Sequence, residues 1–309
     1  MDALADLLEG PRAHGAFLLR GLMKPPWSVR VRDEAPLTLV AMTQGTAWVH
    51  SEREKPQQLT AGDIALFRGP EPYVMSDELD TPWQVTINPG QICTTPTGER
   101  TSWDLGVRSW GNSADGTTVM LIGTYQMPAE LTSRLLSALP TIAVLHGDAW
   151  DSPLPELLDR EIVRDEPGQD VVLDRLLDLL LIAVLRAWFH RPGGQAPAWY
   201  RAASDPVVGE ALKLLQDDPA KPWTVATLAA QVGVSRAALA RRFTELVGDP
   251  PMSFLADLRL AWAAELLREP DATVTSVARK VGYSSPFALS TAFKRVRGVS
   301  PQEHRAGGR

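Results

Sequence analysis

A single cysteine, Cys93, stands in 309 residues. No intramolecular disulfide can form, which argues against a secreted disulfide framework. No uninterrupted apolar run approaches the ~18 residues that a membrane-spanning helix needs. The N-terminus lacks the basic-then-apolar order of a secretory signal. The expected compartment is therefore the cytoplasm, with no membrane partner. Histidine is scarce too, at 5. His14, His50, His146 and His190 lie far apart, without the spacing of metal ligands. A redox thiol wants a lowered pKa and usually a resolving partner. Cys93 has no second cysteine, no evident Lys or His beside it, and lies in Pro89–Gly98, read as a loop. We expect no metal, no cofactor and no catalytic residue.

An excess of positive charge is also missing. The net charge of −6 argues by itself against a nucleic-acid partner. The distribution reverses that reading. Asp205 to Arg309 holds 14 Lys and Arg against 11 Asp and Glu, while the residues before it hold 17 against 26. Such asymmetry suggests a nucleic-acid module joined to something else. Apolar content of 44% and charged content of 22% are those of a globular protein, long enough for two domains.

What is present most plainly is a repeat. Thr224-Val-Ala-Thr-Leu-Ala-Ala-Gln-Val-Gly-Val-Ser235 returns 49 residues later as Thr273-Val-Thr-Ser-Val-Ala-Arg-Lys-Val-Gly-Tyr-Ser284. A repeat at fixed period names the architectural unit. Each copy has a helix start, a short amphipathic helix, a glycine turn and a second helix with basic residues, which is the order of a helix-turn-helix. Thr224 caps a helix whose apolar face is Val225, Leu228, Ala229 and Val232. Gly233 supplies the positive φ of the turn. Ser235 caps the next helix, with Leu239, Phe243 and Leu246 on its apolar side and Arg236, Arg241 and Arg242 on the other. In the second copy Gly282 is the turn, Ser285 the N-cap, and Pro286 the first helical residue. Phe287, Leu289, Phe293 and Val296 are its apolar set; Lys294, Arg295 and Arg297 are its basic set.

These residues resemble the AraC/XylS family of bacterial transcription regulators. The resemblance rests on Val281-Gly-Tyr-Ser-Ser-Pro-Phe287, Ala292-Phe-Lys-Arg295 and Gly298-Val-Ser-Pro301. Ser235-Arg-Ala-Ala-Leu-Ala-Arg-Arg-Phe243, Gly248-Asp-Pro-Pro251 and Arg259–Leu267 carry it in the first copy. It covers about 100 residues. Arg297 and His304 stand where the family usually has an aromatic residue and a tyrosine, departures that touch end packing. The resemblance implies double-stranded DNA as partner and regulation by a small-molecule effector or a stress. It leaves open a homodimer and contact with RNA polymerase.

Ahead of the repeat, short β-like runs lie between Gly and Pro clusters: Trp27–Val31, Leu37–Met42, Ala47–His50, Ile64–Arg68, Tyr73–Ser76, Trp83–Asn88 and Thr118–Tyr125. They predict a small β-barrel. Leu59-Thr-Ala-Gly-Asp63 resembles the turn of a cupin barrel, which the family often carries as a sensor. A cupin enzyme would hold a metal with several histidines and a carboxylate; tyrosine stands at position 73, near where one of those histidines is expected. The barrel therefore reads as a sensor, with Trp48, Tyr73, Trp103 and Tyr125 as candidate effector-pocket residues. A metal-dependent cupin enzyme and a DNA-repair alkyltransferase both lack the histidines or cysteines they need here.

The expected fold is α+β and multidomain. Residues 1–130 form a cupin-like barrel preceded by a short helix, Ala3–Glu9. Residues 131–190 form a helical extension, with helices at Leu131–Leu139, Pro153–Arg164 and Val171–Phe189. The apolar face of the last, Leu173 to Leu185, meets either a second copy or the barrel. Residues 191–204 are a linker. Residues 205–307 are an all-α DNA-binding domain with helix-turn-helix units at 223–247 and 273–297. Recognition helices read bases through their N-terminal residues, and basic side chains hold phosphates. The first unit offers Ser235, Arg236, Ala237, Ala240 and Arg241 for that reading. The second offers Ser284, Ser285, Pro286, Ala288, Leu289 and Thr291. Arg242, Lys294 and Arg295 are expected on phosphates.

Overall fold

A computed structural model describes residues 17–125, 136–191, 196–202, 205–268 and 271–307. The expected helix Ala3–Glu9, most of Leu131–Leu139, and 192–195 with 203–204 of the expected linker lie outside them; within that linker Ala198–Ala202 is a short helix instead. The described residues divide into two compact units, 17–125 with 136–191, and 196 onward.

Among the described residues the first unit holds thirteen strands in two sheets. In chain order these are β1 Phe17–Met23, β2 Ser28–Val31, β3 Leu37–Gln44, β4 Thr46–His50, β5 Gln57–Thr60, β6 Ile64–Arg68, β7 Tyr73–Ser76, β8 Val85–Asn88, β9 Ile92–Thr94, β10 Asp104–Gly106, β11 Ser109–Gly111, β12 Thr118–Tyr125 and β13 Ile142–Leu145. One sheet runs β10-β11-β1-β12-β3-β6-β13 and the other β5-β4-β7-β2-β8-β9. Ile142–Leu145 was expected within a helical extension. Its short apolar run pairs antiparallel with β6 instead, and a run of that length does not separate strand from helix by pattern alone.

The two sheets differ in what they bury. β3 has six consecutive buried residues and β12 seven of eight. Met42 and Met120 face the interior shared with the other sheet. On the opposite face Gly123 lies against Leu177, and the Tyr125 hydroxyl donates to the Leu177 carbonyl at 2.9 Å. Leu177 belongs to α2, Gln169–His190, which packs beside α1, Leu154–Ile162. A sheet covered on both faces loses its polar alternation. In β4, Ala47 and Val49 point into the core while Trp48 and His50 are half-exposed, the alternation of a sheet with one wet face. Leu173, Leu177, Leu180, Leu181, Val184 and Leu185 of α2 are buried within this same unit. The stripe considered for a dimer contact is therefore packing inside the unit. The exposed apolar residues of α2 are Val171, Val172 and Leu179.

The second unit is helical: α3 Ala198–Ala202, α4 Val208–Asp217, α5 Val225–Gln231, α6 Arg236–Val247, α7 Pro251–Leu266, α8 Val274–Lys280, α9 Pro286–Arg297 and α10 Pro301–Gly307. Both repeats fold by the same local chemistry. Thr224 accepts from the Thr227 N–H and Thr227 accepts from the Thr224 N–H; Thr273 and Ser276 repeat the arrangement. Gly233 and Gly282 adopt φ of +71° and +80° in the turns. Phe243, Leu239 and Leu228 centre one hydrophobic core, and Phe293, Leu289 and Val277 the other. α7 belongs to both: Phe254 and Leu255 lie in the first core, Leu260, Ala263 and Ala264 in the second.

Candidate functional site

Each recognition helix starts on a serine. The Ser235 and Ser285 hydroxyls accept from the N–H groups of Ala238 and Ala288 at 3.2 and 3.1 Å. Both serines were expected to read DNA, and both hydroxyls are occupied as N-caps. Beyond the caps, Arg236, Ala237 and Arg241 are exposed on α6 and Ala240 is half-buried. Arg241 leans toward Glu245 at 3.9 Å, both well exposed. On α9, Ser284 just before the cap and Thr291, Lys294 and Arg295 are exposed, with Pro286 and Ala288 half-buried.

Three expectations need correction. Leu289 was placed among the base-reading residues, yet it is 0% exposed and lies in the core with Phe293. Phe287 was placed in the apolar core set, yet it is 80% exposed; Val296 of that set is exposed as well. A helix repeats every 3.6 residues, so Leu289 and Phe293, four apart, share one face and Phe287 does not. Aligning the repeats on their phenylalanines would have revealed this, since Phe287 then falls on exposed Ala237. Arg242 was expected on phosphate. Its Nε and Nη2 donate to Asp205 at 3.1 and 2.7 Å. Asp205 also accepts from the Val207 and Val208 N–H groups at the start of α4. Burial works to raise the Asp205 pKa, but those N–H groups and Arg242 outweigh it and hold it below the ordinary value. Arg242 thus ties α6 to α4.

Arg259 holds the two helix-turn-helix units together. From α7 its Nε donates to the Pro219 carbonyl at 2.6 Å and its Nη2 to the Lys221 carbonyl at 2.7 Å. Gly282, in the turn of the second unit, lies against Ala220 between those carbonyls.

The barrel holds a mostly apolar, partly open cavity of about 190 Å³. Of the four residues expected there, Tyr73 lines it, stacked on Phe67 at 3.8 Å. Burial, then the charge of Asp33, push the Tyr73 phenol above its ordinary pKa. Trp103 packs against Trp110, and Trp110 is the one on the cavity wall. Trp48 lies on the wet face of its sheet, and Tyr125 faces α2. Both sit one residue out of register with the inward face, and a one-residue shift inverts the facing. Trp27 and Cys93 are wall residues that the sequence did not reveal as such. Cys93 lies in β9, not a loop, because the turn at Gly90 and Gln91, both at positive φ, folds β9 back on β8. Burial pushes its thiol pKa up, with Trp110 a partial offset. The half-buried thiol is thereby held toward its protonated, less nucleophilic form. The lining residues include no histidine, so they do not fit the metal of a cupin enzyme.

Residues 2–190 match a family model described as a cupin, and residues 228–307 match one described as a helix-turn-helix domain. A putative AraC-like transcription regulator of Streptomyces lividans is 32% identical over 99% of this chain and 98% of its own length. The HTH-type transcriptional regulator AlkR of Acinetobacter baylyi is 28% identical, over 99% of each chain. The DNA-binding domain of AdpA, solved with a target DNA, is 36% identical over 34% of this chain and 93% of that one, with a TM-score of 0.32. With a cupin barrel, paired helix-turn-helix units and relatives alike from end to end, the chain belongs to the AraC-like family of DNA-binding transcription regulators.

Proposed function

We propose that this regulator reads a bipartite DNA site, one half per helix-turn-helix unit, under the control of a small molecule held in the barrel cavity. The observation that carries the first part is the double membership of α7. A helix of 16 residues rises ~1.5 Å per residue, about 24 Å in all. Anchored in both cores and braced by Arg259, it supports two recognition helices entering successive major grooves, ~34 Å apart. Arg236, Ala237, Ala240 and Arg241 read bases in one groove. Ser284, Pro286, Phe287 and Thr291 read them in the other. Lys294 and Arg295 hold phosphate, while the capped N-termini of α6 and α9 present backbone N–H groups to the DNA. The mostly apolar cavity within the barrel supports the second part.

The test is selection of bound DNA from a random library, with the wild type and with an Arg236→Ala/Lys294→Ala double variant. A directional motif of two half-sites ~10 base pairs apart is expected, weakened in the variant. Enrichment of a single half-site would refute the bipartite reading.

A further inference from the structure

Trp27 lines the barrel cavity, is 0% exposed, and its indole N–H meets no acceptor among the described residues. A buried donor without a partner costs about 1–3 kcal/mol, and each such group in a native interior calls for an explanation. Two polar residues of the wall are engaged elsewhere. Thr38 is hydrogen-bonded with Tyr73, and Asp33 accepts from the Ala35 N–H and the Gln91 side chain. Met23, Val29, Val40, Met75 and Met120 supply apolar wall.

Charge narrows what can enter. The lining residues include the Asp33 carboxylate and no Lys, Arg or His. An anion there would lose its water without gaining a counter-cation, which is costly. Size narrows it further: a dry apolar cavity of ~150 Å³ accommodates benzene, and this one is of about 190 Å³.

We propose that the cavity binds a compact, uncharged, ring-sized molecule whose hydrogen-bond acceptor, a carbonyl, ether or ring nitrogen, takes the Trp27 indole N–H. This rests on reading the cavity as the effector site and names the chemistry of its ligand.

Calorimetric titration of the full-length protein at pH 7 with acetophenone, ethylbenzene and benzoate tests it. Acetophenone has the ring and the acceptor, ethylbenzene the ring alone, benzoate the ring and a charge. Acetophenone should bind about fivefold tighter than ethylbenzene, the worth of one neutral hydrogen bond, and benzoate should bind weakest. Trp27→Phe, which removes the N–H, should bring acetophenone to the level of ethylbenzene. Equal affinities in the wild type, tightest binding of benzoate, or no binding of acetophenone would overturn the proposal. If Trp27→Phe does not fold, the wild type still decides through its 10 tryptophan indole N–H resonances. Acetophenone should move one of them that ethylbenzene leaves in place; no such resonance overturns the proposal. DNA affinity measured in the same samples separates the two readings. Acetophenone bound as stated, with DNA affinity unchanged, supports the ligand class and refutes the effector role.

Discussion

The two turn glycines look equivalent in the sequence and should respond very differently to the same substitution. Gly233 and Gly282 have φ of +71° and +80°, so alanine at either costs the left-handed penalty of about 1–2 kcal/mol. At Gly233 an added Cβ meets nothing within 4 Å. At Gly282 it would stand 2.4 Å from the Ala220 carbonyl oxygen and 2.8 Å from its Cα. That backbone cannot yield freely, because Arg259 holds the carbonyls on either side of Ala220. Overpacking of this kind adds about 1–3 kcal/mol. Gly282→Ala should therefore unfold several degrees below Gly233→Ala, since 1 kcal/mol shifts the melting temperature of a domain near 100 residues by about 4–8 °C. The assay is thermal unfolding of full-length variants followed by helical circular dichroism. Arg259→Met should shrink the gap by freeing the loop, and coupling between the sites should appear in a double-mutant cycle. Equal melting of the two alanine variants would refute the argument that Ala220 is a fixed wall.

The remaining predictions concern the DNA face and the barrel. Arg236→Ala should relax preference at one base position and cost about 1–3 kcal/mol in specific binding; an unchanged motif in site selection would exclude the contact. Phe287→Ala should weaken sites with thymine under α9 by about 0.8 kcal/mol, the worth of one buried methyl, with no loss of fold stability. Lys294→Ala should lower the salt dependence of binding by about one phosphate contact, whereas Arg242→Ala should lower the melting temperature and leave the salt slope alone; the reverse pattern would return Arg242 to the phosphates. Asp63 accepts from the Thr60 N–H and hydroxyl and from the Gly147 N–H. Its burial works to raise the pKa, yet those bonds and His146 bring it below the ordinary 3.8. A lowered folded pKa gives stability that is present above the unfolded value and lost as pH falls through the folded one. Asp63→Asn should therefore unfold at lower urea than wild type at pH 7 and approach it as the pH falls below the ordinary carboxylate range; a gap independent of pH would exclude the linkage.

The DNA-binding unit was far more legible in the sequence than the barrel, and the reason is locality. A capping box, a turn glycine and an i, i+4 apolar pair act within a dozen residues. Thr224, Gly233, Leu239 and Phe243 therefore announce their roles without knowledge of anything distant. The barrel is built from pairings that cross the chain. β1 lies between β11 and β12, and β2 between β7 and β8, so which side chains share a cavity depends on register that no short window contains. Trp27, just before β2, and Trp48, in the middle of β4, are equally aromatic, yet one is a wall of the cavity and the other faces outward. The error over Phe287 was of a different kind. An apolar residue on a helix was assigned to the core by type, when its phase relative to Leu289 and Phe293 placed it outside.

The two recognition helices are built alike and equipped differently, and the difference bears on how the site is read. The base-facing residues proposed for α6 include Arg236 and Arg241, whose guanidinium groups suit bidentate hydrogen bonds to guanine. At the matching positions α9 has Pro286 and Thr291, with Phe287 beside them in place of Ala237. Proline offers no donor, and an exposed phenylalanine suits a thymine methyl. The positive charge of the second unit lies elsewhere, on exposed Arg279, Lys280, Lys294 and Arg295, where it can follow the backbone. On the proposed bipartite reading, one half-site is selected through hydrogen bonds and the other through apolar contact, with phosphate attraction adding affinity rather than selection. If both helices read DNA as proposed, α7 fixes their order, and the two unlike half-sites give the bound DNA a direction.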